Sequence, residues 1–270
     1  MKKLINSSCL SGVQPIICNN NIIMKVSIIT ICYNRKNTIA QCIESVLNQN
    51  YTNIEYIVID GNSKDGTKDI IQSYADKISQ YLSEPDKGMY DAINKGLKMA
   101  TGDIIGLMHS DDEFYDAGVV TKIVSAFQRN NQTEGIYGDG IYVSNDAEEK
   151  IIRNRIGGDF VFEKLKVGWL PLHPTVYLRK SVIEKLGDYD LNFTIASDTE
   201  LLLRYLFVNK IKLVYLSTYV VKMRMGGLST SYKRAFEVLY EDYRIYKHHG
   251  LSAFRAVFLK KLIALKQYIN

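Results

Sequence analysis

Apolar runs broken by polar clusters set the frame of the first hundred residues. "KVSIITICY" (25–33) is continuous, apolar and β-branched, the pattern of a strand buried on both faces. "KNTIAQCIESVLNQ" (36–49) spaces Ile39, Ile43, Val46 and Leu47 as a helix does. "IEYIVID" (54–60) reads as a strand again and "GTKDIIQSYADKI" (66–78) as a helix. "MYDAINKGLKMA" (89–100) puts Tyr90, Ile93 and Leu97 on one helical face, and "GDIIGLM" (102–108) is another buried strand. This alternation predicts an α/β fold with a mostly parallel, doubly wound sheet. In such sheets ligands bind beyond the C-terminal ends of the strands. The polar clusters fall there: Thr30, Tyr33 and Asn34 after the first strand, Asp60 after the second, Asp111 and Asp112 after the last.

Beyond residue 113 the pattern loosens. A helix over 117–129 leads to two antiparallel strands, 135–144 and 150–156. Helices are expected at 179–187 and 198–209, a strand pair over 212–225, and helices at 233–248 and 251–269. No repeat or low-complexity linker separates the two halves, so one continuous unit is expected. Residues 1–23 read as a polar leader: two lysines open it, but no apolar run of the length a secretory signal needs follows. Met24 opens the folded part.

Composition narrows the class. With 46% hydrophobic and 23% charged residues the chain is globular rather than disordered. Residues 231–270 hold eight of the 34 Lys/Arg but three of the 29 Asp/Glu, so the whole net charge of +5 resides there and the body is neutral. That argues against a nucleic-acid-binding body and for a local basic contact surface. Cys9, Cys18, Cys32 and Cys42 show no CxxC spacing, which points to reduced thiols in a cytosolic protein rather than a zinc site or a disulfide scaffold.

The candidate chemistry starts at "GLMHSDDEFYD" (106–116). One acidic residue would cap the helix near 117, and Asp116 is better placed for it than Asp111 or Asp112. Two hard carboxylates at a strand edge suit a divalent cation whose remaining shell comes from substrate phosphates. "VIDGNSKDGTKD" (58–69) lacks both the Walker ending and GxGxxG, so it is a turn that caps the next helix through Ser63, Asp65 or Thr67. Asp60, ending a buried strand, can accept hydrogen bonds from a base or a ribose. In "EPDKGMYDAINKG" (84–96), Asp86, Lys87 and Gly88 open a helix whose N–H groups can face an anion, and Asp91, Asn94 and Lys95 lie on its polar side. Asp198 sits in the first turn of the helix in "TIASDTELLLRYL" (194–206), where a capping role is equally open. His173, in a loop after Trp169, is either a structural histidine or a pocket residue.

Together these pieces resemble the GT-A fold of family 2 glycosyltransferases. The matching segments are "VSIITICYN", "YIVIDGNSKDGT", "DKGMYDAINKGLKMATGDIIGLMHSDDEF", "HPTVYLRKSVIEKLGDYD" and "ASDTELLLR", in family order from residue 26 to about 206, and "MRMGGLST" (223–230) extends them. The nearest resemblance is to bacterial enzymes that build exopolysaccharide, capsule or O-antigen units, the colanic-acid type among them. The resemblance implies a GT-A domain over 24–230, with a nucleotide-sugar half (24–112) and an acceptor half (113–230), followed by a basic helical segment (231–270). "SDD" corresponds to the family's D-x-D, with Ser110 in place of the first Asp. Asp112 is then the ligand of Mg²⁺ or Mn²⁺, and Asp111 faces the ribose or a metal-bound water. Asp60 contacts the base, Thr30 and Tyr33 line the base pocket, and Lys87 and Asp91 belong to the nucleotide-sugar site. Asp198 matches the general base of the family's E-D motif, with Ser197 where the Glu would stand. His173 and Arg224 fall on the acceptor or diphosphate side.

The function so implied is metal-dependent, inverting transfer from a nucleoside-diphosphate sugar to a glycan or lipid-linked hydroxyl in bacterial surface polysaccharide synthesis. A glycoside hydrolase also pairs carboxylates but has no use for Asp60 or a metal pair. A non-catalytic nucleotide-sugar or polysaccharide-binding module is the rival from another class; loss of Asp112 or Asp198 would mark it, and both are present. The C-terminal "LSAFRAVFLKKLIALKQYIN" spaces Leu251, Phe254, Phe258, Leu262, Leu265 and Ile269 as one helical stripe, with Arg255 and Lys266 opposite, Lys260 on the flank and Lys261 interrupting it. Two readings stand: the stripe packs on the core or on a second subunit of a homodimer, or residues 250–270 lie on the anionic inner face of the cytoplasmic membrane. A cytoplasmic, peripheral protein is the corresponding expectation.

Overall fold

The computed structural model describes residues 23–144, 149–224 and 234–266. Residues 1–22 of the expected leader, residues 225–230 of the extended match and the last turn of the C-terminal stripe lie outside the described residues. Strands β1 (Val26–Cys32), β2 (Ile54–Asp60), β3 (Gln80–Ser83) and β4 (Ile104–His109) form a parallel group in the order β3-β2-β1-β4. Their side chains alternate between two apolar clusters. Ile28, Tyr56, Val58, Ile104 and Met108 face one way, under α1 (Ile39–Leu47) and α4 (Val119–Arg129). Ile29, Ile57, Ile59, Ile105 and Leu107 face the other, under α3 (Met89–Met99). The continuous apolar runs follow from this: a strand covered by helices on both sides has no polar face to show. The helix α3 lies so close to β1 that a Cβ on Gly96 would come within 2.4 Å of the Ile29 side chain.

The same sheet runs on into the second half. β8 (Tyr177–Arg179) pairs antiparallel with β4, then come β6 (Gly135–Val143), β9 (Leu213–Arg224) and β5 (Asp112–Phe114), while β7 (Ile151–Arg155) pairs antiparallel with β6. Several expectations need correction. Within the stretch expected as a strand pair, Leu213–Arg224 form one strand of 12 residues, β9. "LVYLSTYVVKMR" contains no Gly, Pro, Asn or Asp to turn it, and it pairs with β6 along its length and with β5 at its end. The short strands β3 and β5 carry too few residues for a period to be read; Asp112, expected just beyond the end of β4, is the first residue of β5. The helix after β2, α2, covers only Thr67–Gln72, and its N-cap is Gly66 at φ +98° with no side-chain cap. Asp65, of the three candidates, does accept the N–H of Thr67, the first residue of α2 (3.0 Å), while Ser63, Asp65 and Thr67 also bond the neighbouring loop. The helix expected over 198–209 is α7 (Ser197–Leu203) running into a π turn, Arg204–Val208. α5 (Phe162–Leu165) and α6 (Lys180–Leu186) complete the second half.

Helices α8 (Ala235–His248) and α9 (Ala253–Lys266) form a hairpin docked on α7. Ile245, Tyr246, Ala253 and Ala256 are buried in the cluster of Leu201 and Leu203. Lys260 Nζ lies 2.7 and 2.8 Å from the carboxylate oxygens of buried Asp242 and 3.2 Å from Thr199 Oγ1. The inner face of α9 is therefore small residues plus an ion pair. Phe254, Phe258 and Leu262 point away from the body, so the core reading fails for them; among the stripe's described side chains only Leu251 packs against the core. Among the described residues no helix is long and apolar enough to cross a membrane.

Candidate active site

The loops leaving β1 and β2 are stitched into one wall. Asn34, in the left-handed region at φ +52°, donates its N–H to Ser63 Oγ (2.8 Å) and accepts from the Lys64 N–H through its side-chain oxygen (2.9 Å). Arg35 N–H donates to Thr67 Oγ1 (2.8 Å) and Lys36 N–H to Asp65 Oδ2 (3.1 Å). Asp60 is fully buried beneath this wall, accepting from Ser83 Oγ (2.6 Å) and Ser63 N–H (3.1 Å). Thr30 is also fully buried, its hydroxyl engaged with Tyr56 (3.1 Å) and close to the Cys42 thiol. It therefore sits under the expected pocket rather than lining it. Tyr33 is exposed, and its ring and the Asp86 carboxylate converge over Gly61, where a Cβ would meet both. The turn into α3 is set by Gly88 at φ +124°, whose N–H donates to Asp86, and by the Lys87 N–H, which donates to Asp91 (3.0 Å). Asp91 and Lys95 are paired at 3.6 Å. Asn94, expected on the polar side of α3, is buried: it donates to the Tyr189 carbonyl and accepts the Tyr189 N–H, pinning that loop.

At the end of β4, Ser110 and Asp112 are buried and Asp111 is half-buried. Burial pushes the Asp112 carboxyl well above the usual range, Asp111 pushes it further, and the backbone N–H of Arg224 opposes them. The Arg224 guanidinium is turned elsewhere, onto Glu149 (2.6 Å) and Glu113 (2.9 Å). It is therefore the main chain of β9, not the side chain of Arg224, that reaches the aspartate. Asp116 accepts the Gly118 N–H (2.7 Å) and pairs with Lys122, so Asp111 and Asp112 are not needed as caps. Among the described residues no three or more His, Cys, Asp or Glu converge as a closed metal cage. Adjacent carboxylates with this little hydrogen-bond compensation fit a divalent cation that takes one or two protein oxygens and leaves its other positions to phosphates.

Asp198 stands opposite, in the first turn of α7. Its Oδ1 lies 2.8 Å from the Thr199 N–H and 3.2 Å from the Tyr90 hydroxyl, which also reaches the Ile195 carbonyl at 3.1 Å. Tyr90 stacks on Tyr189, and the Tyr189 hydroxyl lies 2.5 Å from His173 Nε2. The His173 ring lies 6.1 Å from that of His109, which directly precedes "SDD". Burial pulls both imidazoles down; Asp111 and Asp198 oppose it at His109, and Asp198 opposes it at His173, which is lowered to about 4. His109 thus lies within electrostatic reach of both Asp111 and Asp198. His109, Tyr90 and Tyr189 were not singled out for this site by sequence. The alternation Ile105, Leu107, His109 along β4 was the available signal, because it places His109 on the face covered by α3 and α7.

Residues 27–187 match the family model described as glycosyl transferase family 2. An uncharacterized glycosyltransferase of Mycobacterium tuberculosis is 33% identical over 183 residues, 66% of this chain and 68% of that protein. A PGL/p-HBAD biosynthesis glycosyltransferase of Mycobacterium bovis is 26% identical over 70% of this chain and 73% of its own length. Staphylococcus aureus TarS 1–349 in complex with UDP-GlcNAc superposes with a TM-score of 0.65 over 82% of this chain and 65% of that one, at 18% identity. The chain spans 39% of the longer TarS chain that it also matches. The mannosyltransferase PcManGT of Pyrobaculum calidifontis, solved with GDP-Man and Mn²⁺, gives 0.61 over 91% of this chain and 73% of that one, at 16% identity. The chain belongs to glycosyl transferase family 2: it is a glycosyltransferase built on the GT-A fold.

Proposed function

We propose that this chain transfers a sugar from a nucleoside-diphosphate sugar to a hydroxyl of a glycan or lipid-linked acceptor, with inversion and a divalent metal, in bacterial surface polysaccharide synthesis. The observation that carries the reading is the chain of contacts from His109, directly before Ser110–Asp112, through the His173 ring 6.1 Å away to Tyr189, Tyr90 and Asp198. Nucleoside-diphosphate sugars bound to structural neighbours support the donor class.

Tyr33, through its exposed ring, holds the base, with the buried Asp60 and Thr30 supporting that wall from below, Asp60 through Ser63 and Ser83. Lys87 and Asp91, at the start of α3, face the donor's phosphates and sugar. Asp112 would hold Mg²⁺ or Mn²⁺, with Asp111 beside it on the ribose or a metal-bound water. Such a metal supplies Lewis-acid stabilisation of the diphosphate that leaves. Asp198 takes the proton of the acceptor hydroxyl as its oxygen bonds to the anomeric carbon. The bond from that carbon to the diphosphate breaks on the opposite face, and the nucleoside diphosphate departs with the electron pair. Proton removal of this kind contributes about 10²–10⁴ in rate. His173 holds the Tyr189 hydroxyl, and Tyr90 shares its proton between Asp198 and Ile195, so Asp198 is oriented before an acceptor arrives.

The test is release of nucleoside diphosphate, with UDP-, GDP- and dTDP-sugars assayed in turn. Release that requires both added metal and acceptor is expected. Full release in chelator would remove the metal from the reading. Nucleotide-sugar binding without turnover on any acceptor would favour the binding-module alternative.

A further inference from the structure

We infer that the outward face of α9 is a docking surface for an anionic lipid bilayer. This helix is apolar on two sides. Its inner side is fixed: Ala253 and Ala256 are buried, Lys260 is paired with Asp242, and a Cβ on Gly168 would come within 2.3 Å of the Ala256 carbonyl. Its outer side carries Phe254, Phe258 and Leu262, exposed by 80%, 57% and 41%. At 3.6 residues per turn these three lie on a stripe about 80° wide, with Lys261 along one edge and Arg255 along the other. Lys261, which interrupts the apolar pattern in sequence, is in space its border. The helix is already folded and anchored, so docking carries little ordering cost. On α8, Phe236, Tyr240 and Tyr243 are exposed at helical spacing as well, interleaved with Arg244 and Lys247.

Charge selects the occupant. Residues 251–270 contain four Lys/Arg and no Asp/Glu. A second copy seated on this stripe about a two-fold axis would set the cations Arg255 and Lys261 against their own counterparts with no carboxylate between them. Three side chains on one helix also fall short of the roughly 800 Å² per partner of a standard protein interface. Anionic headgroups neutralise the two edges, while the stripe enters the boundary between headgroups and acyl chains. The inference does not depend on the glycosyl-transfer reading, because it is read without turnover.

The test is sedimentation of the full chain with vesicles. At low salt it is expected to pellet with phosphatidylcholine and phosphatidylglycerol in equal parts, to stay in solution with phosphatidylcholine alone, and to be released by high salt. Phe254→Glu with Phe258→Glu is expected to abolish pelleting. Arg255→Gln with Lys261→Gln is expected to weaken it about fivefold per charge removed, the equivalent of ~1 kcal/mol for a cation near such a surface. An unchanged thermal midpoint shows that each variant is folded; if the Glu pair fails to fold, the Gln pair decides. Truncation is the poorer test, because α9 also supplies Lys260 to the body. Equal pelleting with both vesicle types, no pelleting, or a concentration-dependent dimer dissolved by the Phe substitutions would overturn the inference.

Discussion

Glu241 of α8 closes the end of the helix that carries Asp198. Its carboxylate accepts the backbone N–H groups of Thr194, Ile195 and Ala196 at 2.8, 2.9 and 2.9 Å and the Thr194 hydroxyl at 2.9 Å. The N-terminus of α7 has no side-chain cap of its own, so a buried carboxylate from another helix satisfies the N–H groups leading into it. Burial would push Glu241 up, but these donors prevail and hold it below the usual carboxylate range.

Glu241→Ala leaves buried donors without an acceptor, at a cost of about 3 kcal/mol or more. The expected outcome is a lower urea midpoint and a fall in kcat with donor Kd nearly unchanged, since the contact between this loop and residues 24–112 runs through the Tyr90 hydroxyl to the Ile195 carbonyl and not through Tyr33, Asp60, Asp111 or Asp112. Glu241→Gln keeps the shape and loses the charge, so it should fall between wild type and Ala in both measurements.

Asp198→Asn preserves the acceptor for the Thr199 N–H and the Tyr90 hydroxyl but cannot take a proton. A fall in kcat of at least about 10²-fold with unchanged donor affinity is expected. Isothermal titration with the nucleoside diphosphate beside single-turnover kinetics separates the two quantities. A donor Kd that weakens in step with kcat would make Asp198 a binding residue.

How much of this was legible depends on how local the cause is. Strands β1, β2 and β4 were readable because burial on both faces writes an unbroken β-branched run. The places of Asp111 and Asp112 just after β4 and of Asp198 in the first turn of α7 were readable from chain position. Asn94 was misplaced, since its partner, the Tyr189 main chain, is 95 residues away and nothing in the local pattern distinguishes a buried amide from an exposed one. Glu241 was invisible for the same reason, its acceptor role resting on residues 45–47 positions upstream. The stripe on α9 was found, but its direction was not. A helix with apolar residues on two sides does not state which side meets the body; Lys260 on Asp242 does.

Acid sensitivity should centre on Glu55. Burial would raise this carboxyl, but Lys25 at 2.7 Å, Ser27 and Thr101 prevail and lower it from 4.5 to about 2. A folded-state value below the unfolded one gives stability that is present above the unfolded value and is lost as pH falls from about 4.5 toward 2. The shift corresponds to on the order of 3 kcal/mol. Glu55→Gln should therefore unfold at a lower urea concentration at neutral pH, and its stability should fall less steeply across that acid window.

Asp112 is the position where stability and function are expected to oppose each other. Its carboxylate is buried beside Asp111, with the Arg224 N–H as the hydrogen bond that favours its charge. Without a cation this arrangement is destabilising, because a charge is desolvated next to a like charge. Asp112→Asn removes the charge and keeps the volume and an acceptor for that N–H. In chelator the variant should melt at a higher temperature than wild type, by about 2–4 °C per kcal/mol of relieved repulsion in a chain of this size. It should lose transfer altogether, and metal should no longer shift its melting temperature in the presence of nucleoside diphosphate. Wild-type transfer by Asp112→Asn would remove Asp112 from the metal site. A lower melting temperature in chelator would mean that the carboxylate stabilises the fold through contacts other than a cation.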